Sequence, residues 1–318
     1  AAGILVNLDG NVPLDEAVRI DPNSPSVFVN RGAVFSAAGQ HERAIGDFGE
    51  AIALDPQFGL AYLRRGESNE LAGHPDSALR DCTDALRINP RDAKAFVLRG
   101  RLFTRQGVLA RAVEDLDAAI RLDPREPRAH LSRAAVLAAM GNDERSIGDC
   151  TKAIRLDPRY AAAYQGRGDA YARRGRLELA IQDYTQATGL NSRNPYAYCG
   201  RGLARARLGD LRGAIENFSD AIVPNAMFAA ALRHRGMAYE KLGEPDRAAA
   251  DLEATMRPDR RDALAANEFA WLLATAPHAG FRDGRKAVEP AHGACEPSGW
   301  KNPGYIDTYA AALAEAGR

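Results

Sequence analysis

Arg31, Arg65, Arg99, Arg133, Arg167, Arg201 and Arg235 recur at intervals of 34 residues, and sixteen residues beyond each stands Asp47, Asp81, Asp115, Asp149, Asp183, Asn217 or Asp251. A guanidinium offers its N–H groups as a planar fork that meets a carboxylate with two parallel hydrogen bonds. Two columns of opposite charge on one period therefore predict a ladder of bidentate pairs joining two elements. The rival chemistry is a basic stripe for a polyanion, which would need no acidic companion on the same period. The ladder is the preferred reading. Asn217 interrupts the acidic column, so Arg201 should be the freest of the seven.

Other reactive side chains form no such pattern. Cys82, Cys150, Cys199 and Cys295 show no CxxC spacing, and the six histidines never fall at ligand spacing, so no metal or other cofactor is expected. Cys82 and Cys150 share a column with Phe48 and Phe218, which makes them small core residues. No nucleophile elbow, phosphate loop or paired-carboxylate motif occurs, and the expectation is that the chain is not an enzyme. Lys and Arg number 42, only five of them Lys, against 42 Asp and Glu. That balance gives no whole-chain field toward nucleic acid or an anionic membrane, and no apolar run reaches the length of a membrane span.

The elements that must carry the ladder follow from two further columns. Asp-Pro or Asn-Pro ends at Pro22, Pro56, Pro90, Pro124 and Pro158, and glycines stand at 39, 73, 107, 141, 175, 209 and 243. Phe28, Gly32 and Phe35 lie at i, i+4 and i+7, as do Ala44, Phe48 and Ala51 after Gly39. Each unit is thus two helices joined at a glycine and stopped before the next Pro. A second small-residue column (Gly32, Gly66, Gly100, Ala134, Gly168, Gly202, Gly236) falls inside the first helix, where glycine costs about 1 kcal/mol relative to alanine. Close approach to an alanine column in the second helix (Ala44, Ala78, Ala112, Ser146, Ala180, Ala214, Ala248) is the expected compensation.

Residues 28 to 56 read F-x2-R-G-x2-F, then A-x3-F, then P, and the pattern repeats through seven units. In this the sequence resembles the tetratricopeptide repeat family. The resemblance implies an all-α, right-handed superhelical solenoid of antiparallel helix pairs, with the first helices lining a concave groove. Residues 267–317 are similar to a tail carried by many bacterial members, through FAWLLAT, RDGRKAVE and GWKNPGYIDT. The expected organisation is a partial half-repeat over 1–24, seven repeats over 25–262, and a divergent repeat plus half-repeat over 263–318, as one continuous solenoid. Pro224 and Pro258 come two places early, Ser192 replaces a proline, 276–283 lengthens a turn, and Pro290 should kink or stop its helix.

The family uses places beside the first-helix glycine for its groove, which assigns Arg64, Lys94, Arg101, Arg105 and Arg128, and farther on Arg173, Tyr196, Arg233 and His234. Leu60 and Leu63 join the same face, and Cys199 is the one cysteine expected to reach it. Lys94, Arg101, Arg105 and Arg128 form the most basic stretch, suited to an acidic peptide or a terminal carboxylate. The function implied is a non-catalytic protein-interaction scaffold. The alternative is head-to-tail self-assembly through half-repeats at the two ends. The chain begins at Ala1 without a leader pattern and is read as processed or fragmentary, which leaves cytoplasmic and exported locations both open.

Overall fold

The computed structural model describes residues 11–223, 228–256, 263–276 and 281–317. Among these residues it contains eighteen α-helices, a 3-10 turn at Glu296–Ser298 and no strand. They fall into two compact units, Ala1–Pro158 and Arg159–Arg318. The first holds α1 (Asn11–Ile20), α2 (Pro25–Ala37), α3 (His41–Leu54), α4 (Gly59–Ala72), α5 (Pro75–Ile88), α6 (Ala93–Arg105), α7 (Leu109–Leu122), α8 (Pro127–Ala139) and α9 (Asp143–Leu156). The second holds α10 (Ala161–Arg173), α11 (Leu177–Leu190), α12 (Pro195–Arg207), α13 (Leu211–Ile222), α14 (Ala229–Lys241), α15 (Pro245–Met256), α16 (Ala263–Thr275), α17 (Gly284–Cys295) and α18 (Pro303–Glu315).

Local chemistry sets these boundaries. Asp92 accepts the N–H groups of Lys94 and Ala95 at the start of α6, and Asn194 does the same for Tyr196 and Ala197 at α12. Within a repeat, Gly73 ends α4 at φ 85°, a left-handed conformation that only glycine adopts without strain, and His74 donates back to the Asn69 carbonyl at 2.8 Å. Between repeats, the Asp55 side chain accepts from the Gln57 N–H at 2.9 Å and Asp123 from Arg125 at 3.0 Å. Asn191 makes the same turn with the Arg193 N–H at 3.1 Å although Ser192 stands where proline was expected. The carboxylate or amide, rather than the proline ring, is the common device.

Within each unit, a second helix packs on the first helix of its own repeat and on that of the next. The core is a column of second-helix side chains: Phe48, Cys82, Leu116 and Cys150 in the first unit, Tyr184, Phe218 and Leu252 in the second. That column, more than the alanines, explains the first-helix glycines. A Cβ on Gly100 would lie 2.8 Å from Leu116 Cγ, and one on Gly202 2.6 Å from the Phe218 ring. The alanines enter through their backbone, with the Ala112 carbonyl oxygen 3.3 Å from the Gly100 position. Where the column holds Cys82, a Cβ on Gly66 would meet nothing nearer than 3.3 Å. Ala134 accordingly replaces glycine in the repeat whose column residue is Cys150.

At the tail, α17 does not stop at Pro290 but runs on to Cys295. Lys286, whose carbonyl loses its helical donor, is exposed, and water can serve that oxygen. Gly284 opens α17 directly against the end of α18, where a Cβ would fall 2.3 Å from the Ala316 amide nitrogen. Pro224, Pro258 and the middle of the lengthened 276–283 turn lie outside the described residues.

Candidate functional site

The arginine and aspartate columns meet side by side. Nε and Nη2 of Arg31 donate to Asp47 at 2.8 and 2.7 Å, and Arg99, Arg133, Arg167 and Arg235 grip Asp115, Asp149, Asp183 and Asp251 at 2.7 to 2.8 Å. Arg65 holds Asp81 through Nη2 at 2.7 Å. The remaining Nη1 reaches back sixteen residues to the preceding second helix, to Asp15 at 2.8 Å from Arg31, Asp117 at 2.7 Å from Arg133 and Ser219 at 3.0 Å from Arg235. Each such arginine stitches two repeats. Burial alone would raise the Asp149 carboxyl, but the hydrogen bonds from Arg133 and the nearby His130 ring, 3.8 Å away, outweigh it and hold the group below its usual range.

Arg201 is the exception and is still engaged. Its Nε donates to Asn217 Oδ1, its Nη1 approaches Thr185 and Thr188 at 3.4 and 3.3 Å, and Asp220 stands 3.9 Å from Nη2. Burial, aided by Arg205, lowers its pKa from the ordinary arginine value, whereas hydrogen bonding to Asp47 raises that of Arg31. The ladder binds the fold together and is consumed in doing so.

In the first unit, the expected basic cluster is partly neutralised. Arg101 donates to Glu70, Arg105 lies 3.8 Å from the same carboxylate, and Arg64 pairs with Glu67 at 2.9 Å. Lys94 is exposed and lines a depression of about 300 Å³ with Asp92, Asp123 and Glu126, while Arg128 is exposed on α8. Leu60 is exposed, whereas Leu63 is buried in the core and presents nothing.

The second unit contains a larger opening, about 500 Å³, between α10, α12 and α14. Tyr196, 64% exposed, meets Phe228 edge-on at 5.3 Å to form one wall. Leu203 and Cys199 continue it, and the Cys199 thiol is pushed up to about 11 by burial, which makes it unreactive. Arg173 and Arg207 complete the lining on α10 and α12, Arg207 donating to the Ala172 carbonyl at 2.8 Å. His234 stacks on Phe218 at 5.8 Å, and burial together with Arg233 lowers it to about 4, so it stays neutral. Arg233 lies beside the opening, 4.0 Å from Glu268. A second cavity of about 360 Å³ is lined by Met237, Glu240, Trp271 and Asp307. Trp300 instead packs against His292 and Tyr309. No group of three or more metal-capable side chains occurs among the described residues.

A family model described as TPR repeat matches residues 100–141 and 168–209, and two described as tetratricopeptide repeat match 150–182 and 30–93 with 199–263. The chain belongs to the tetratricopeptide repeat family. No curated protein matches it. Its fold is similar to that of a chain in the APC/C hetero-tetramer Cut9-Hcn1, with a TM-score of 0.67 and 18% identity over 96% of this chain. This chain spans 59% of the length of that one. A tetratricopeptide repeat protein from Parabacteroides merdae (TM-score 0.60, 17% identity, 77% of this chain and 97% of that one) shares the fold. So does pilF of Pseudomonas aeruginosa (TM-score 0.59, 18% identity, 66% and 96%).

Set in the tetratricopeptide repeat frame, the residues that the sequence pattern left unmarked are Tyr184 and Gly200. Tyr184 occupies the core column but is its one hydroxyl-bearing member, and it donates to Asp169 Oδ1 at 2.7 Å. Gly200 is not in the repeating glycine column; a Cβ there would strike the Tyr184 ring at 2.7 Å. The phenol thereby reaches the lining of the opening. Burial raises the Asp169 carboxyl from its ordinary value, against the Tyr184 hydrogen bond. Tyr184 is the one hydroxyl in its column, but the columns of Asp169 and Gly200 have no fixed residue and include Glu67 and Gly166, so the period carried no signal for this contact.

Proposed function

We propose that this tetratricopeptide repeat chain is a non-catalytic scaffold that holds a segment of another protein against its first helices. Tetratricopeptide repeat folds are interaction scaffolds, and one structural relative is found within a hetero-tetramer. The observation that carries the reading for this chain is the opening of the second unit. It is concave, lined mainly by apolar and aromatic side chains of three first helices, and carries a few polar groups, the usual make-up of a binding site. An acidic segment is favoured, since Arg173 and Arg207 line that opening.

A photocrosslinking residue placed at Tyr196 should capture a protein partner in cells of the source organism, and one placed at Glu42, exposed on α3, should not. Equal capture from both positions would reject first-helix binding. The second reading, self-association, is favoured by the exposure of Ile20 on α1 and Ile306 on α18. Light scattering across a hundredfold range of concentration separates the two, since a scaffold for other proteins stays at one mass.

A further inference from the structure

We propose that the opening between α10, α12 and α14 takes a tyrosine or tryptophan side chain from an acidic peptide, and that Asp169 accepts the hydrogen bond from its O–H or N–H. This rests on the scaffold reading above and names what the site selects. The walls call for a ring: Tyr196 and Phe228 stand edge-on, Leu203 and Cys199 add apolar surface, and about 500 Å³ admits one aromatic side chain with the backbone that bears it.

The polar end calls for a donor. Among the described residues, Asp169 is the only carboxylate in the lining, and Tyr184 already donates to its Oδ1. Arg173 by its charge and Gln165 by hydrogen bonding also favour the carboxylate, yet burial outweighs all three and shifts the Asp169 carboxyl upward. Seating a phenylalanine or leucine side chain there would expel further water and leave the carboxylate worse served. An indole N–H or a phenol O–H would serve it. A lysine would supply a donor too, but it would enter between Arg173 and Arg207, which line the same opening and favour acidic neighbours in the peptide. His234, held neutral by burial, adds no charge near pH 7.

The test is selection of a random peptide library displayed on phage against the full chain, followed by synthesis of the selected peptides. The expected peptides carry tyrosine or tryptophan beside aspartate or glutamate and bind Tyr196→Ala weakly; Tyr196 is exposed, so that variant keeps the fold. Replacing the peptide's tyrosine by phenylalanine should weaken binding to the unchanged protein about 10- to 100-fold, the range for a hydrogen bond to a charged acceptor. Asp169→Ala should erase that difference, and because it strands the Tyr184 hydroxyl, the swap on the peptide side decides if this variant unfolds. Peptides that bind at this site with phenylalanine as well as with tyrosine, or that carry aliphatic or basic residues instead, overturn the inference and leave the scaffold reading standing. Selection of no peptide, or of peptides indifferent to both Tyr196→Ala and Arg101→Ala with Arg105→Ala, overturns the scaffold reading itself.

Discussion

Arg201 shows how much of a guanidinium's behaviour is set by one atom of its partner. Its six counterparts face aspartate, while it faces the amide of Asn217, which spends its Nδ2 on the Gly213 carbonyl. Asn217→Asp should therefore supply the missing carboxylate and raise stability by about 1 kcal/mol, since hydrogen bonds to charged groups are worth roughly 1.5 to 3 kcal/mol and part is lost to desolvation and to the Gly213 bond. Urea unfolding would report it as a higher midpoint, and an unchanged or lower midpoint would reject the account. His234 makes a second residue-scale case. Its pKa falls from 6.5 in the unfolded chain to about 4 in the folded one through burial and the nearby Arg233. The sign follows: above pH 6.5 both states hold it neutral, and between 6.5 and about 4 the unfolded state binds the proton and folding loses stability. NMR of its ring protons should give a midpoint near 4, and a midpoint near 6.5 would mean that the ring is solvated.

Helix pairs tie first-helix glycine to second-helix bulk, and this relation yields a prediction in which two chemically identical changes part ways. Gly100→Ala places a methyl 2.8 Å from Leu116, so overpacking of about 1 to 3 kcal/mol outweighs a helix-propensity gain of about 1 kcal/mol. Gly66→Ala meets nothing nearer than 3.3 Å beside the smaller Cys82, and the propensity gain should leave it neutral or stabilised. Melting temperatures of the two variants should move apart, Gly100→Ala downward, and Gly100→Leu should fall further than either. A common shift would show that the column residue does not set the spacing. The helices and their pairing were legible because glycine, proline and apolar spacing recur seven times. The partner of the glycines was half read: the alanine column does approach them, but Ala112 contributes a carbonyl while Leu116 contributes the bulk, a division that columns of small residues do not reveal. Gly284 was likewise invisible, since its contact is with the backbone of Glu315 and Ala316.

Over the whole molecule, charge is organised without being accumulated. The ladder spends most of one arginine column on buried aspartates, Glu70 takes up Arg101 and Arg105, and the sum of 42 basic and 42 acidic residues leaves no net field. The ladder could be foreseen from its period, but the neutralisation of Arg101 and Arg105 could not, because Glu70 and Arg101 lie 31 residues apart and belong to no shared column. The Tyr184–Asp169 contact escaped for the same reason: a single occurrence gives periodicity nothing to count. Nucleic-acid binding is driven by counterion release, which needs several unpaired cations along one track of phosphates. Arginines held at 2.7 to 2.8 Å by carboxylates would have to break those bonds to serve it. The full chain should therefore leave single-stranded RNA and duplex DNA unshifted in gels at about 0.15 M salt, with at most weak retention at low salt. A shift at that salt whose affinity falls steeply as salt rises, with a slope of several released ions, would show a cationic track that the ladder does not occupy, and would displace the protein segment as the occupant of these helices.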